Sequence, residues 1–211
     1  TAVMGARAFE FYPDVYNYIQ AVQEELLRYP TIDIVTMTLG GNDFLRGTDG
    51  YSRWDCGMLT EPAREQALLN KIAGDIEGII DAILAVRPDI RVAICGYTFG
   101  GRDRGGCSIY DQQMGFVHLE EAKKAIADRK DRVFYVHNFG MMQYYFGTAT
   151  QDPGLVSLPG GYPDYTPFPG GDPSQLVNPV ALFDADIHLT RDGYSILANR
   201  CIDEFYAQWL A

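Results

Sequence analysis

The sequence predicts an α/β fold in which helices cover both faces of a parallel sheet. Three short apolar segments, residues 32–39, 90–96 and 133–136, are rich in β-branched residues, as buried strands are. Helical patterns alternate with these segments, and such alternation is typical of a parallel sheet. Since 47% of the 211 residues are hydrophobic, we expect a single domain over residues 1–211 with a substantial core.

The first half of the chain supplies two helices and one strand. Residues 13–29 predict a helix, because apolar residues recur at helical spacing and Pro13 suits a first turn. Residues 32–39 follow as a strand that runs into two glycines. A long helix is predicted over residues 60–86, with Thr60 as its cap. Its expected buried face consists of Leu69, Ile72, Ile76, Ile79, Ile80 and Ile83.

The later elements continue the alternation. Residues 90–96 predict a strand, residues 116–127 a helix and residues 133–136 a third strand. Residues 140–179 are rich in Gly, Pro and Tyr and predict a long loop, whose aromatic residues either line an acyl or sugar pocket or pack the loop itself. A last helix is predicted after Thr190, which can cap it. We see no internal repeat.

Composition excludes several classes of function. The net charge of −11 argues against a nucleic-acid-binding surface, which requires clustered Lys and Arg. No apolar run approaches the roughly 20 residues of a transmembrane helix. The four cysteines lack the spacing of a zinc site. Cys56 and Cys107 lie in predicted loops, where a disulfide is one alternative and would indicate a secreted or periplasmic protein, whereas Cys95 and Cys201 are typical of buried thiols.

Two segments carry candidate chemistry. Gly40-Gly41-Asn42-Asp43 follows a buried strand, and in parallel sheets functional sites form at the carboxyl ends of strands. The Asn42 amide could donate to a developing oxyanion, although the same four residues are typical of an ordinary turn. His188 precedes the last helix, and the carboxylates of Asp184 or Asp186 could orient it; the alternative is a solvated histidine. His137, at a strand end, ranks lower, and His118 is expected to be solvated.

Together these segments resemble the SGNH, or GDSL-type, hydrolase superfamily of esterases and lipases. The family's third block, glycine-x-asparagine-aspartate, matches residues 40–43, and its fifth block matches residues 188–190 together with the Gly-Tyr pair at 193–194. The stretch TAVMGARA resembles the second block and places its glycine at Gly5. The resemblance spans the chain and implies a three-layer α/β/α sandwich with a five-stranded parallel sheet in flavodoxin-like order.

The family's first block, Gly-Asp-Ser, does not occur in this sequence, and neither does Gly-x-Ser-x-Gly. The serines that do occur lie in neither motif; they are Ser52, Ser108, Ser157, Ser174 and Ser195. We therefore expect the domain to be incomplete at its N-terminus, with the first strand missing and the nucleophilic serine upstream of Thr1. On this interpretation residues 1–211 alone are inactive.

The resemblance implies a serine ester hydrolase without metal or cofactor. His188 would take the serine proton, and the Asn42 amide and the Gly5 N–H would hold the oxyanion. The family's acid lies three residues before its histidine, where this chain has Ala185. In an extended segment Asp186 and Asp184 point to the same side as His188, so either could replace it, and we favour Asp186. A Ser-His dyad is the other alternative.

The substrate class stays open at this stage between a small ester, a lipid and an acylated sugar. A different class of function is a non-catalytic carbohydrate- or lipid-binding domain on the same scaffold, which the substitution at Ala185 favours. A flavodoxin-like cofactor domain would require a phosphate-binding loop that the sequence does not display. A binuclear phosphoesterase is disfavoured, because the three histidines are scattered and form no His-x-His pair. Oligomeric state is not indicated.

Overall fold

The computed structural model describes residues 2–183 and 188–211. The chain divides into two compact units. Unit 1 comprises residues 1–94 and 118–135, and unit 2 comprises residues 95–117 and 136–211. Each unit has its own buried core and its own set of anchoring hydrogen bonds, and the units are therefore described separately.

The regular elements alternate between helix and strand along the chain. In order they are α1 Tyr18–Arg28, β1 Ile34–Met37, α2 Gly41–Arg46, α3 Pro62–Val86, β2 Arg91–Cys95, α4 Ile109–Asp128, β3 Val133–Val136, α5 Met141–Phe146, α6 Arg191–Cys201 and α7 Ala207–Trp209. A π-helix, Ile202–Tyr206, joins α6 to α7. Shorter 3-10 helices span Ala8–Phe11, Cys56–Thr60 and Pro179–Ala181.

The sheet is parallel and has the order β1-β2-β3 in the described part of the chain. Ile34 lies opposite Arg91 at one end of the β1–β2 pair, and Met37 lies opposite Ile94 at the other. Every strand lies within a segment predicted to be one, and the α/β fold class is confirmed. The expected further strand and the single-domain organisation stay predictions.

Several helix boundaries differ from the predicted ones. The first helix begins at Tyr18, because Asn17 takes a left-handed conformation (φ 54°) that interrupts the helix. The predicted cap at Thr60 is wrong: Thr60 ends a 3-10 helix, its hydroxyl donates to the Gly57 carbonyl, and Glu61 is the residue before α3. The helices α2 and α5 lie in segments that were predicted to be loops.

The core of unit 1 lies around α3. Its predicted apolar face is fully buried, which confirms the helical spacing. The unit also buries an ion pair: Lys123 Nζ lies 2.7 Å from Glu120 Oε1, and the Tyr135 hydroxyl donates to Glu120 Oε2 at 2.8 Å. The two hydrogen bonds offset part of the cost of removing this carboxylate from water.

The core of unit 2 is formed by α5, by the segment before α6 and by the residues that follow β2. Its buried side chains are Phe99, Val117, Phe139, Met141, Met142, Val177, Ala181, Leu182 and Leu189. Phe99 and Phe139 stack with ring centroids 4.7 Å apart. Residues on both sides of His188 therefore belong to one packed cluster.

Two short helices of the chain share one backbone pattern. The helix α2 lies between Gly40 and Gly47, and α5 lies between Gly140 and Gly147; all four glycines have φ between 80° and 95°. Each second glycine is followed by a threonine whose N–H donates to a carbonyl three residues later, at 3.2 Å from Thr48 to Tyr51 and at 2.8 Å from Thr148 to Gln151.

Candidate active site

The turn after β1 places the Asn42 and Asp43 side chains. Gly40 turns the backbone with φ 95°, and a Cβ there would lie 3.1 Å from Ile72 Cγ2 and 3.2 Å from Ile76 Cδ1. Only glycine meets both demands, since it tolerates the left-handed region and leaves room for α3. Gly41 then begins α2, so that Asn42 and Asp43 occupy its first turn.

Within unit 1, the helix that contains Asn42 is hydrogen-bonded to the segment that contains Gly5. Asn42 Nδ2 donates to the carbonyl of Ala6 at 3.4 Å, and Arg46 Nη1 donates to the carbonyl of Gly5 at 3.4 Å. Gly5 is exposed and Asn42 is half-buried. An amide nitrogen carries two hydrogens, so the bond to Ala6 fixes the Asn42 side chain and uses one of its two donors.

Asp43 is fully buried and anchors the same N-terminal segment. Its Oδ2 accepts a hydrogen bond of 2.8 Å from the backbone N–H of Ala8. Burial raises the pKa of Asp43 above its usual 3.8, while the hydrogen bond from Ala8 opposes that rise and the nearby charge of Asp75 adds to it. Asp43 therefore anchors the N-terminal segment to α2, a contact that we did not predict from the sequence.

His188 lies in unit 2 on a short anchored segment. Its backbone carbonyl accepts a 2.8 Å hydrogen bond from the N–H of Phe183, and Leu182 pairs with Leu189 in an antiparallel bridge. Both leucines are buried, whereas His188 and Phe183 are exposed. Because side chains alternate along extended backbone, the bridge turns the leucines into the core and the imidazole toward solvent.

The start of α6 fixes the backbone after His188. Thr190 caps the helix, as predicted: its Oγ1 accepts from the N–H of Gly193 at 3.3 Å. Its own N–H donates to the carbonyl of Ala181 at 2.8 Å. A Cβ on Gly193 would lie 3.0 Å from Leu189 Cβ, which explains why a glycine stands at this position.

The two candidate acids, Asp184 and Asp186, lie outside the described residues. The choice between them therefore stays a prediction. His188 belongs to unit 2, whereas the oxyanion-hole candidates Asn42 and Gly5 belong to unit 1.

The other two histidines have structural partners. His137 is fully buried, its Nε2 lies 3.0 Å from the carbonyl oxygen of Pro167, and its ring packs 4.4 Å from that of Phe168. His118 is not simply solvated, as the sequence suggested: its Nδ1 lies 3.1 Å from Glu65 Oε2. The pattern of apolar residues could not reveal this pair, because the two side chains come from different helices.

The long loop is anchored by polar side chains. Gln143 binds Asp172 through both its amide atoms and also donates to the carbonyl of Gln175, at distances of 2.8–2.9 Å. Arg200 Nη2 donates to the carbonyl of Gly160 at 2.7 Å. These contacts favour the packing interpretation for much of the loop, although Tyr162 is exposed.

Serines and cysteines complete the inventory. Four of the five serine hydroxyls take part in local hydrogen bonds, with Asp111 for Ser108, Gly171 for Ser157, Asp172 for Ser174 and Arg191 for Ser195. Cys56 and Cys107 are disulfide-bonded, whereas Cys95 and Cys201 are not.

No cluster of three or more metal-binding side chains occurs within residues 2–183 and 188–211. No helix in that part of the chain is both long and apolar enough to cross a bilayer.

Comparison with known proteins establishes the fold. The sequence matches no protein-family model and no curated protein. The structure is similar to a carbohydrate esterase family 3 from Talaromyces cellulolyticus, with a TM-score of 0.53, 13% identity and coverage of 97% of this chain and 68% of that one. A family 3 carbohydrate esterase from Clostridium thermocellum gives a TM-score of 0.47, 15% identity and coverage of 97% and 67%. The first likeness supports the predicted three-layer α/β/α sandwich, and at this identity it shows the fold alone.

Proposed function

We propose that this chain is part of an SGNH-type esterase that hydrolyses acyl esters of carbohydrates. The observation that carries the proposal is the hydrogen-bonded pairing of the Asn42 turn with the Gly5 segment. These are the two blocks that the family resemblance assigns to the oxyanion hole, and they lie far apart in sequence. The fold likeness to a carbohydrate esterase favours an acylated sugar among the three substrate classes considered.

Each candidate residue has a role that its chemistry allows. The Asn42 amide and the Gly5 N–H would donate to the oxyanion of the tetrahedral intermediate. His188 would accept the proton of the attacking serine and return it to the leaving alcohol. Asp186, or Asp184, would orient the imidazole and stabilise its charged form. The proposal assigns the nucleophile to a serine outside this sequence, since the serines here are engaged in local contacts or lack a matching setting.

Replacing Asn42 tests the proposal most directly. In the full-length protein, Asn42→Ala should lower kcat for p-nitrophenyl acetate and for acetylated xylan by about 10²–10³-fold, because one oxyanion donor is lost. KM should change little, since the donor acts mainly in the transition state. His188→Ala should remove most of the activity.

Asn70→Ala is the matched control, because Asn70 is exposed on α3 and its Oδ1 accepts a hydrogen bond from Gln66 on the same helix. Thermal unfolding of each variant separates loss of activity from loss of fold. Unchanged kcat in Asn42→Ala would remove Asn42 from the mechanism. Binding of an acetylated oligosaccharide without any turnover by the wild-type protein would instead favour the non-catalytic binding domain.

A further inference from the structure

Two thiols of unit 2 face each other at the end of α6. The Sγ atoms of Cys95 and Cys201 lie 3.4 Å apart, although the residues are distant in sequence. Cys95 is the last residue of β2 and is half-buried, and Cys201 is the last residue of α6 and is buried. A disulfide requires sulfurs about 2.05 Å apart, so the pair needs a closing movement of roughly 1.4 Å.

Polar groups around Cys201 favour reaction. The hydrogen bond with Cys95 lowers the pKa of the Cys201 thiol, and burial opposes that change. A lower pKa increases the fraction of thiolate, which is the nucleophile in thiol oxidation and exchange. The neighbouring charges are those of Arg200, which favours the thiolate, and Glu204, which disfavours it.

The chain already contains disulfide-bonded cysteines at Cys56 and Cys107, so its fold is compatible with oxidising conditions. Two thiols at contact distance have a high effective concentration toward each other, whereas a solitary thiol must react with a second molecule. Oxidation of Cys95 and Cys201 to a disulfide is therefore the expected chemistry wherever an oxidant reaches them.

We propose that Cys95 and Cys201 form a redox-sensitive dithiol site that closes to an intramolecular disulfide, with a peroxide as the oxidant class. One thiolate attacks hydrogen peroxide, so that an S–O bond forms, the O–O bond breaks and hydroxide leaves; hydroxide becomes water with the released proton. The second thiol gives up its proton and attacks the sulfenyl sulfur as a thiolate, so that the S–S bond forms and the S–O bond breaks; the departing hydroxide takes up that proton and leaves as a second water. Two thiols lose two electrons in total, and one peroxide gains them.

The closed form should stabilise the end of the last helix. The link joins residues far apart in sequence, and cross-links that enclose long segments restrict the unfolded chain most. Cys201 also lies beside a residue that holds the long loop, since Arg200 Nη2 donates to the carbonyl of Gly160. Oxidation would therefore fix the helix segment to which this loop is attached.

Peptide mapping under non-reducing conditions tests the proposal. The full-length protein is treated with hydrogen peroxide or left untreated, denatured, alkylated with iodoacetamide and digested with trypsin. Tryptic cleavage places Cys95 in the peptide 92–102 and Cys201 in the peptide that begins at Cys201, apart from the peptides that contain Cys56 and Cys107. The treated sample should yield 92–102 joined to the peptide that begins at Cys201, and the untreated sample should yield both peptides alkylated. The Tm of the treated protein should rise.

Cys95→Ser and Cys201→Ser are matched controls, because each leaves one thiol without its reaction partner. After the same dose of peroxide, the remaining thiol should still be alkylated and the Tm should not rise. Three results would overturn the proposal: both cysteines of the treated wild-type protein stay open to alkylation, they are oxidised without becoming linked, or the remaining thiol of a variant is lost as readily as the pair. The wild-type mapping decides the question even if a variant does not fold.

Discussion

The turn after β1 and the turn after β3 have the same backbone but hold different side chains. Each runs from one left-handed glycine through a six-residue helix to another left-handed glycine, as α2 and α5 show. The third helical residue is fully buried in both turns and anchors a distant segment of its own unit. In α2 this residue is Asp43, which accepts one backbone N–H from Ala8. In α5 it is Gln143, which makes three hydrogen bonds.

The second helical residue differs more. It is Asn42 in α2, half-buried and polar, and Met142 in α5, fully buried in the core of unit 2. The glycines therefore specify where the chain turns, whereas the intervening residues decide whether the turn presents a donor or packs inward. The comparison teaches that a glycine-bounded turn after a parallel strand is not by itself a sign of catalysis.

Replacing the buried amide of Gln143 by a carboxylate, the group that Asp43 carries, should have the largest effect on stability. Gln143→Glu removes two N–H donors and places a carboxylate beside the carbonyl oxygens of Asp172 and Gln175. We expect a loss of about 3–5 kcal/mol in the free energy of unfolding at neutral pH, from buried charge and unpaired carbonyls. Urea unfolding measures the loss. Gln66→Glu, on the exposed face of α3, should change stability by less than about 0.5 kcal/mol. Equal stability of the two variants would mean that Gln143 is not an anchor.

The closing glycines test whether the two turns are equivalent. In Gly47→Ala the new Cβ would lie 2.8 Å from the Tyr51 carbonyl oxygen, and in Gly147→Ala it would lie 2.5 Å from that of Gln151. Left-handed strain and this contact should together cost about 2 kcal/mol at each site, with the larger loss at Gly147.

Gly74→Ala is the control for that pair. Gly74 lies inside α3, and a Cβ there would meet nothing within 4 Å. This substitution should raise the thermal midpoint, because alanine favours a helix by up to about 1 kcal/mol over glycine. A rise in the midpoint for all three variants would show that the left-handed conformation at Gly47 and Gly147 is not required.

The sequence predicted the sheet and the long helices because their signals are local. The spacing of isoleucines identified the buried face of α3, and the Thr190 cap was evident from its position. The short helices α2 and α5 were missed, since six residues between glycines give no clear periodicity. The anchoring role of Gln143 and the pairing of His118 with Glu65 depend on contacts between elements distant in sequence, which a pattern of residue types does not encode.

Substitution of Asp43, the buried anchor of the α2 turn, should have the smallest effect on stability. Asp43→Asn keeps an oxygen that can accept the Ala8 N–H, so stability at neutral pH should change by no more than about 1 kcal/mol, the net contribution of one hydrogen bond. The pH dependence is more informative. Burial raises the pKa of Asp43, so between 3.8 and the higher folded value the folded chain binds more protons than the unfolded chain.

The stability that wild type has relative to Asp43→Asn should therefore be complete below pH 3.8 and should fall as pH rises through the folded pKa. Urea unfolding of both proteins across this range measures the difference. Asp89→Asn should give the opposite sign, because its hydrogen bond with Arg87 lowers the pKa of Asp89 to about 2 and its contribution is lost as pH falls. If wild type instead gained stability over Asp43→Asn with rising pH, hydrogen bonding would outweigh burial at Asp43. The α2 turn would then stabilise the charged carboxylate of Asp43, as the α5 turn stabilises the amide of Gln143.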